Sequence, residues 1–198
     1  MDILETLFSS NAIVKLMRLF LFHPDKVFQK ADIINKSKIR MDSASAELNI
    51  LLKAGMIRKK STFVESKTGG KRRVSGYILN YDFSYRIPLH DLLIGSSDFN
   101  NQNLSKRIGK HGRIKLVVTS GVFIQDNDSR IDLLIVGDNI KERSLKTTIK
   151  TIESEIGKQL RYVIFDTKDY RYRVGVCDRL VRDILDYPHQ ILVNKMGV

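Results

Sequence analysis

The hydrophobic period of this chain changes at Gly55, and that change limits what its N-terminal part can fold into. Upstream, residues 11–22 place Ile13, Val14, Leu16, Met17, Leu19, Phe20 and Leu21 on a broad apolar face at helical spacing. Asn11 is suited to cap this helix, and His23-Pro24-Asp25 stops it. A second short helix is predicted over about 29–36, with Ala31, Ile33 and Ile34 inward. A third is predicted over about 42–53, capped by Asp42 or Ser43, with Gly55 following where a left-handed residue is wanted. Downstream the spacing becomes that of strands. Residues 56–64 and 73–79 flank a turn rich in glycine and charge, 65–72, which makes them a hairpin.

Helix, helix, helix, hairpin is the order of a winged helix. The third helix carries Ser45-x-x-Leu48-x-x-Leu51-x-x-Ala54-Gly55-Met56-Ile57, in which Leu48 and Leu51 hold it to the first helix and the small Ala54-Gly55 step permits a tight turn into the hairpin. This pattern resembles the winged helix-turn-helix transcription regulators of the arsenic-repressor-like group over residues 10–80. The resemblance implies a recognition helix in the major groove, where small polar side chains reach base edges. Ser43, Ser45 and Asn49 are the residues placed for that role, with Lys38 and Arg40 in the preceding turn. Between 58 and 73 lie seven basic residues and one acid, Glu65. The tip, with Lys67, Lys71, Arg72 and Arg73, is built to follow the DNA backbone or enter the minor groove. A solvated charged tip is the bland alternative. Asp42 and Glu47 near the reading surface disfavour indiscriminate binding.

Charge points the same way. The 198 residues hold 34 Lys and Arg against 22 Asp and Glu, a net +12 that favours a polyanionic partner. Residues 1–85 hold 15 basic and 8 acidic residues, the other 113 hold 19 and 14, so the smaller part carries the larger excess. The single cysteine, Cys177, excludes an internal disulfide and sits in an apolar stretch where a buried, inert thiol is expected. The four histidines, His23, His90, His111 and His189, match no metal-ligand spacing. The start of the chain has no signal-peptide pattern, and no apolar run reaches membrane-spanning length, so a cytoplasmic protein is expected.

Residues 86–111 are irregular, with a short apolar run at 87–94, a polar stretch at 95–103 and a further helix at 104–110. Beyond 113 the pattern is α/β: strands at 114–119, 131–137 and 161–166, a helix at 142–157 striped by Leu145, Ile149, Ile152 and Ile156, short helices around Tyr170 and over 179–185, and a last strand at 190–193. In Tyr170-Arg171-Tyr172-Arg173, stacking on nucleic acid is weighed against tyrosine packing and arginine pairing with Asp169 or Asp178, and packing is preferred.

The segment Leu116-Val117-Val118-Thr119-Ser120-Gly121-Val122-Phe123, followed by Asp128-Ser129-Arg130-Ile131-Asp132-Leu133, resembles the minimal nucleotidyltransferase family over about 112–194. That family implies a Gly-Ser turn cradling a triphosphate and an Asp-x-Asp pair holding magnesium on one strand face. Here the pair is Arg130-x-Asp132 and the turn is reversed to Ser120-Gly121, so the resemblance implies a catalytically inactive domain. Ser120, Gly121, Arg130 and Asp132 would mark its degenerate nucleotide pocket, where Arg130 could bind a phosphate. Asp126 and Asp128 read as turn residues rather than metal ligands, and Asp166 as a helix cap.

The expected class is α+β: a winged helix-turn-helix over 1–85, a linker with short helices over 86–111, and a small α/β nucleotidyltransferase-like domain with a mixed sheet over 112–198. The expected function is sequence-specific regulation of transcription on double-stranded DNA, with no cofactor and no metal. A homodimer is expected, since two half-sites multiply affinity, with residues 3–8 and 89–94 as its surfaces. A nucleotide or protein effector is compatible with the second domain. Two alternatives stay open: an active nucleotidyltransferase, as in toxin–antitoxin pairs, and an architectural or RNA-processing role.

Overall fold

The computed structural model describes residues 3–65, 69–95, 101–126 and 128–197. The chain is a mixed α+β protein that divides into two compact units, Met1–Ser97 with Thr151–Lys158, and Asp98–Lys150 with Gln159–Val198.

In the first unit, α1 (Ile3–Leu7), α2 (Asn11–Phe22), α3 (Lys30–Ser37) and α4 (Met41–Lys53) precede the antiparallel strands β1 (Ile57–Glu65) and β2 (Lys71–Leu79). Its core gathers Leu16, Phe20, Phe28, Ile33, Leu48, Leu51, Met56, Ile57 and Leu79. Leu48 and Leu51 thus bury the inward stripe of α4, as their spacing predicts. The caps differ from expectation. Ser10 caps α2 by accepting the Ile13 N–H at 3.2 Å, leaving Asn11 as the first helical residue. Arg40 stands at the start of α4 without a side-chain cap, and Asp42 and Ser43 lie inside the helix. Ala31, expected inward on α3, is exposed, while Ile33 is fully buried. At the other end of α4, Gly55 has φ +76°, and the Gly55 and Met56 N–H groups turn back onto the Leu52 and Leu51 carbonyls, each at 3.0 Å.

The hairpin runs in unbroken register from Ile57↔Leu79 to Glu65↔Lys71. Phe28 exchanges two backbone hydrogen bonds with Tyr77, at 2.9 and 2.8 Å, and so adds a short third segment to the two strands. After β2 come α5 (Arg86–His90) and a π-helical turn, Asp91–Gly95. Leu93 and Ile94 are buried in the first unit's core, which removes them from the dimer surface expected at 89–94. Ile3 and Leu7 of α1 are exposed. Arg18 is 4% exposed: its Nε donates to the Leu93 carbonyl at 3.0 Å and Nη1 to the Glu155 carbonyl at 3.1 Å. A buried guanidinium keeps its charge at low cost only when its N–H groups find acceptors in this way.

The second unit contains α6 (Asn101–Gly109), β3 (Arg113–Thr119), a 3-10 turn (Gly121–Phe123), β4 (Leu133–Asp138), the first part of α7 (Glu142–Ile156), β5 (Tyr162–Asp166), α8 (Thr167–Gly175), α9 (Arg179–Leu185) and β6 (Gln190–Asn194). The sheet has the order β5-β4-β3-β6 and is mixed, with β3 antiparallel to β4 and β6, and β4 parallel to β5. The two central strands carry the continuous apolar runs, Leu116-Val117-Val118 and Leu133-Leu134-Ile135-Val136, all buried. Asp166 caps α8 by accepting the Asp169 N–H at 2.7 Å, and Tyr170 is buried among Leu116, Val118 and Ile184. Arg173 pairs with Asp169 at 3.0 Å and Asp178 at 3.1 Å. Tyr172 does not pack; it is exposed. Cys177 is likewise exposed, contrary to the buried thiol expected, because it falls in the left-handed link (φ +55°) between α8 and α9 rather than in a packed element. No described helix is long and apolar enough to cross a membrane.

Candidate functional site

Burial sorts the side chains of α4. Ala44, Leu48 and Leu51 face the core, and the same helical rotation leaves Asp42, Ser43, Ala46, Asn49, Ile50 and Lys53 exposed. Ser43 and Asn49 therefore lie on one open stripe. Ser45 sits at its margin, half-buried, with its hydroxyl donating to the Met41 carbonyl at 2.7 Å. Glu47 is half-buried and accepts the Ser10 hydroxyl, so Asp42 is the exposed acid on this helix. Ala46, Ile50 and Lys53 complete the stripe, and the period of 3.6 would have found them from the buried positions alone.

The link between α3 and α4 turns at Lys38, which has φ +51°. Lys38 is exposed, and its ammonium donates to the Thr151 hydroxyl at 3.1 Å. Arg40 is also exposed and stands 3.9 Å from the Asp42 carboxylate. Both of those side chains are almost fully in solvent, so their attraction is weak and either is free to take another partner.

The hairpin carries its cations on both faces. Lys59, Lys71 and Arg73 project to one side, and Arg58, Lys60 and Arg72 to the other, because side chains alternate along each strand and the register is unbroken. All six are exposed, and among the described residues none of them forms an ion pair. Lys67 lies outside the described residues.

In the second unit the sequence draws attention to Ser120, Gly121, Arg130 and Asp132. Three of them meet. Asp132 is fully buried at the entrance to β4, and both carboxylate oxygens are occupied. Oδ1 accepts the Val122 N–H at 3.0 Å and Arg161 Nη2 at 3.1 Å, while Oδ2 accepts the Arg161 backbone N–H at 2.8 Å and its Nε at 3.0 Å. This hydrogen bonding raises the Arg161 guanidinium above its already high ordinary pKa, against an opposing effect of burial. Gly121 has φ +56°, and a Cβ there would overlap Asp132 Oδ1, so only glycine fits. The Ser120 hydroxyl donates to the Ile131 carbonyl, which also accepts the Ser129 hydroxyl at 2.7 Å. Arg130 is not part of this cluster. It projects outward to an ion pair with Asp183 of α9 at 2.9 Å. Asp126 accepts the Asp128 N–H at 2.9 Å, the bond of a local turn.

A carboxylate offers about four acceptor positions, and Asp132 has four donors on it. Arg161 is the residue that sequence reasoning missed. Its partner lies 29 positions away, and only the parallel register of β4 and β5, which sets Leu133 beside Tyr162, brings the two together.

No family model and no curated protein matches this chain.

Proposed function

We propose that the chain is a transcriptional regulator that binds double-stranded DNA sequence-specifically. The first unit is read as a winged helix-turn-helix: α3 and α4 form the helix-turn-helix, α4 is the recognition helix and β1–β2 the wing. One observation carries this reading. The open stripe of α4, which carries Ser43 and Asn49, and the six exposed hairpin cations belong to the same compact unit, and consecutive elements present them. Polar side chains on a helix can read base edges, and unpaired cations on a ribbon can neutralise phosphates.

The second unit is read as nucleotidyltransferase-like and catalytically inactive. The mixed pairing of β3, β4 and β5 and the glycine turn at Gly121 support the likeness. Inactivity is supported by Asp132, whose oxygens are filled by Arg161 and two backbone N–H groups where a magnesium site would need them open. This unit then serves dimerisation or the sensing of a ligand in a cytoplasmic homodimer.

Selection of bound sites from a random duplex library tests the reading. A palindromic consensus is expected, with two half-sites spaced for a dimer. Absence of enrichment would sink sequence-specific regulation, and a monomer by light scattering at micromolar concentration would remove the dimer.

A further inference from the structure

Phe63 is 67% exposed near the end of β1. Isolated surface apolar residues are ordinary, so exposure alone assigns it nothing. Its surroundings are less ordinary. Phe63 stands directly across the hairpin from Arg73, and the next pair towards the tip on the same face is Glu65 with Lys71. The pair on the other side is Ser61 with Ser75. The ring is thus presented with Arg73 opposite it and Lys71 diagonal to it. An apolar protein partner would have to bury those cations against hydrocarbon, at high cost. A DNA groove offers a different fit, with apolar base and sugar edges between two rows of phosphate.

We infer that Phe63 is an apolar wedge that enters the minor groove at a base step while Arg73 and Lys71 take the flanking phosphates. This rests on the reading of the first unit as a duplex DNA binder. Apolar wedges flanked by basic residues unstack one step and bend the duplex away from the protein side. The cation contacts make affinity salt-dependent, whereas the ring contributes a contact without counterion release. Phe63 therefore supplies the part of wing affinity that salt leaves in place.

The test uses the full chain and a duplex recovered by selection, or one of mixed sequence if none is enriched, with 2-aminopurine moved step by step through it. Wild-type protein is expected to raise the probe's emission at one step. Phe63→Ala, checked for unchanged far-ultraviolet circular dichroism, is expected to lose that rise and roughly tenfold in affinity, a size typical of losing one aromatic contact to a base. Its slope of log affinity against log salt should match the wild type, while Arg73→Ala should reduce the slope by about 1. Phe63→Leu should recover most of the affinity. An emission rise at no step, or a Phe63→Ala variant that binds as wild type does, overturns the wedge while leaving DNA binding intact. Failure of the wild type to bind any duplex at about 50 mM salt overturns the DNA reading itself, and the wedge with it.

Discussion

Replacing Asp132 or Arg161 separates a structural clamp from a working active site. In Asp132→Ala, the Val122 and Arg161 N–H groups lose their acceptor and the Arg161 guanidinium loses both its bonds. The Arg161 side chain is 46% exposed, so it turns to water at little cost. The buried Val122 N–H cannot and the part-buried Arg161 N–H can only in part, and a buried unpaired group costs about 1–3 kcal/mol, which places the variant near ~3 kcal/mol of destabilisation. Arg161→Ala leaves a carboxylate that is 1% exposed with two N–H donors and no counter-charge, a change worth about 3–5 kcal/mol when one partner of a buried pair is removed. The double variant should fall short of the sum by about 1–3 kcal/mol, the coupling expected of residues in direct contact. Urea unfolding at pH 7 reads these differences through helix dichroism and tyrosine fluorescence, the chain having no tryptophan. Amide exchange in β4 and β5 should locate the loss in the second unit. An active-site carboxylate behaves in the opposite way, because function stores strain and its removal is often stabilising. An Asp132→Ala variant within about 0.5 kcal/mol of the wild type would therefore refute the clamp.

Arg130→Asp creates an Asp-x-Asp pattern, yet Arg161 still fills Asp132, so incubation with labelled nucleoside triphosphates and magnesium should show no transfer; transfer would favour the active-enzyme reading. Gly121→Ala meets both a left-handed φ and the Asp132 carboxylate, and should lower stability by more than ~1 kcal/mol, seen as a lower melting temperature. His23, which packs against the Phe28 ring, has its pKa lowered from 6.5, chiefly by burial and then by Lys26 and Lys36. The folded state thus favours the neutral ring. Its contribution is fully present above pH 6.5 and is lost as pH falls through the lowered folded value. His23→Phe should flatten the decline in melting temperature between pH 7 and pH 5, and an unchanged decline would exclude His23 as its source.

Periodicity made the elements legible, and tertiary pairing decided what it could not. The stripe Leu145, Ile149, Ile152 and Ile156 is buried as its spacing requires, and the helix at 11–22 has the predicted limits. Caps were less legible, because Ser10 and Asn11 are both good capping residues and a single position decides between them. Cys177 departs from its expected burial for a related reason: an apolar neighbourhood in sequence says nothing about a residue placed in a left-handed turn. The run at 89–94 shows the limit most plainly. Its apolarity was legible, but Leu93 and Ile94 cover the first unit's own core rather than a partner.

The same distinction governs the charge. A net +12 cannot say where a polyanion would bind, because a cation already paired with an acid has less to gain from a phosphate. In the second unit, Arg130, Arg161, Arg173, Arg179 and Arg182 each have a carboxylate within 4.0 Å, contributed by Asp132, Asp169, Asp178, Asp183 or Asp186. The hairpin arginines Arg58, Arg72 and Arg73 have no such partner among the described residues. Counterion release depends on charges that remain available, so the hairpin arginines keep a capacity for phosphate that these five arginines of the second unit have partly spent. Of these five, Arg130 ties the approach to β4 to α9 and Arg161 ties the starts of β4 and β5, while Arg173, Arg179 and Arg182 pair within or between α8 and α9. Arg130, a cation whose sequence position suits a phosphate, instead pairs with Asp183 of α9, and Arg161 supplies the counter-charge to the buried Asp132.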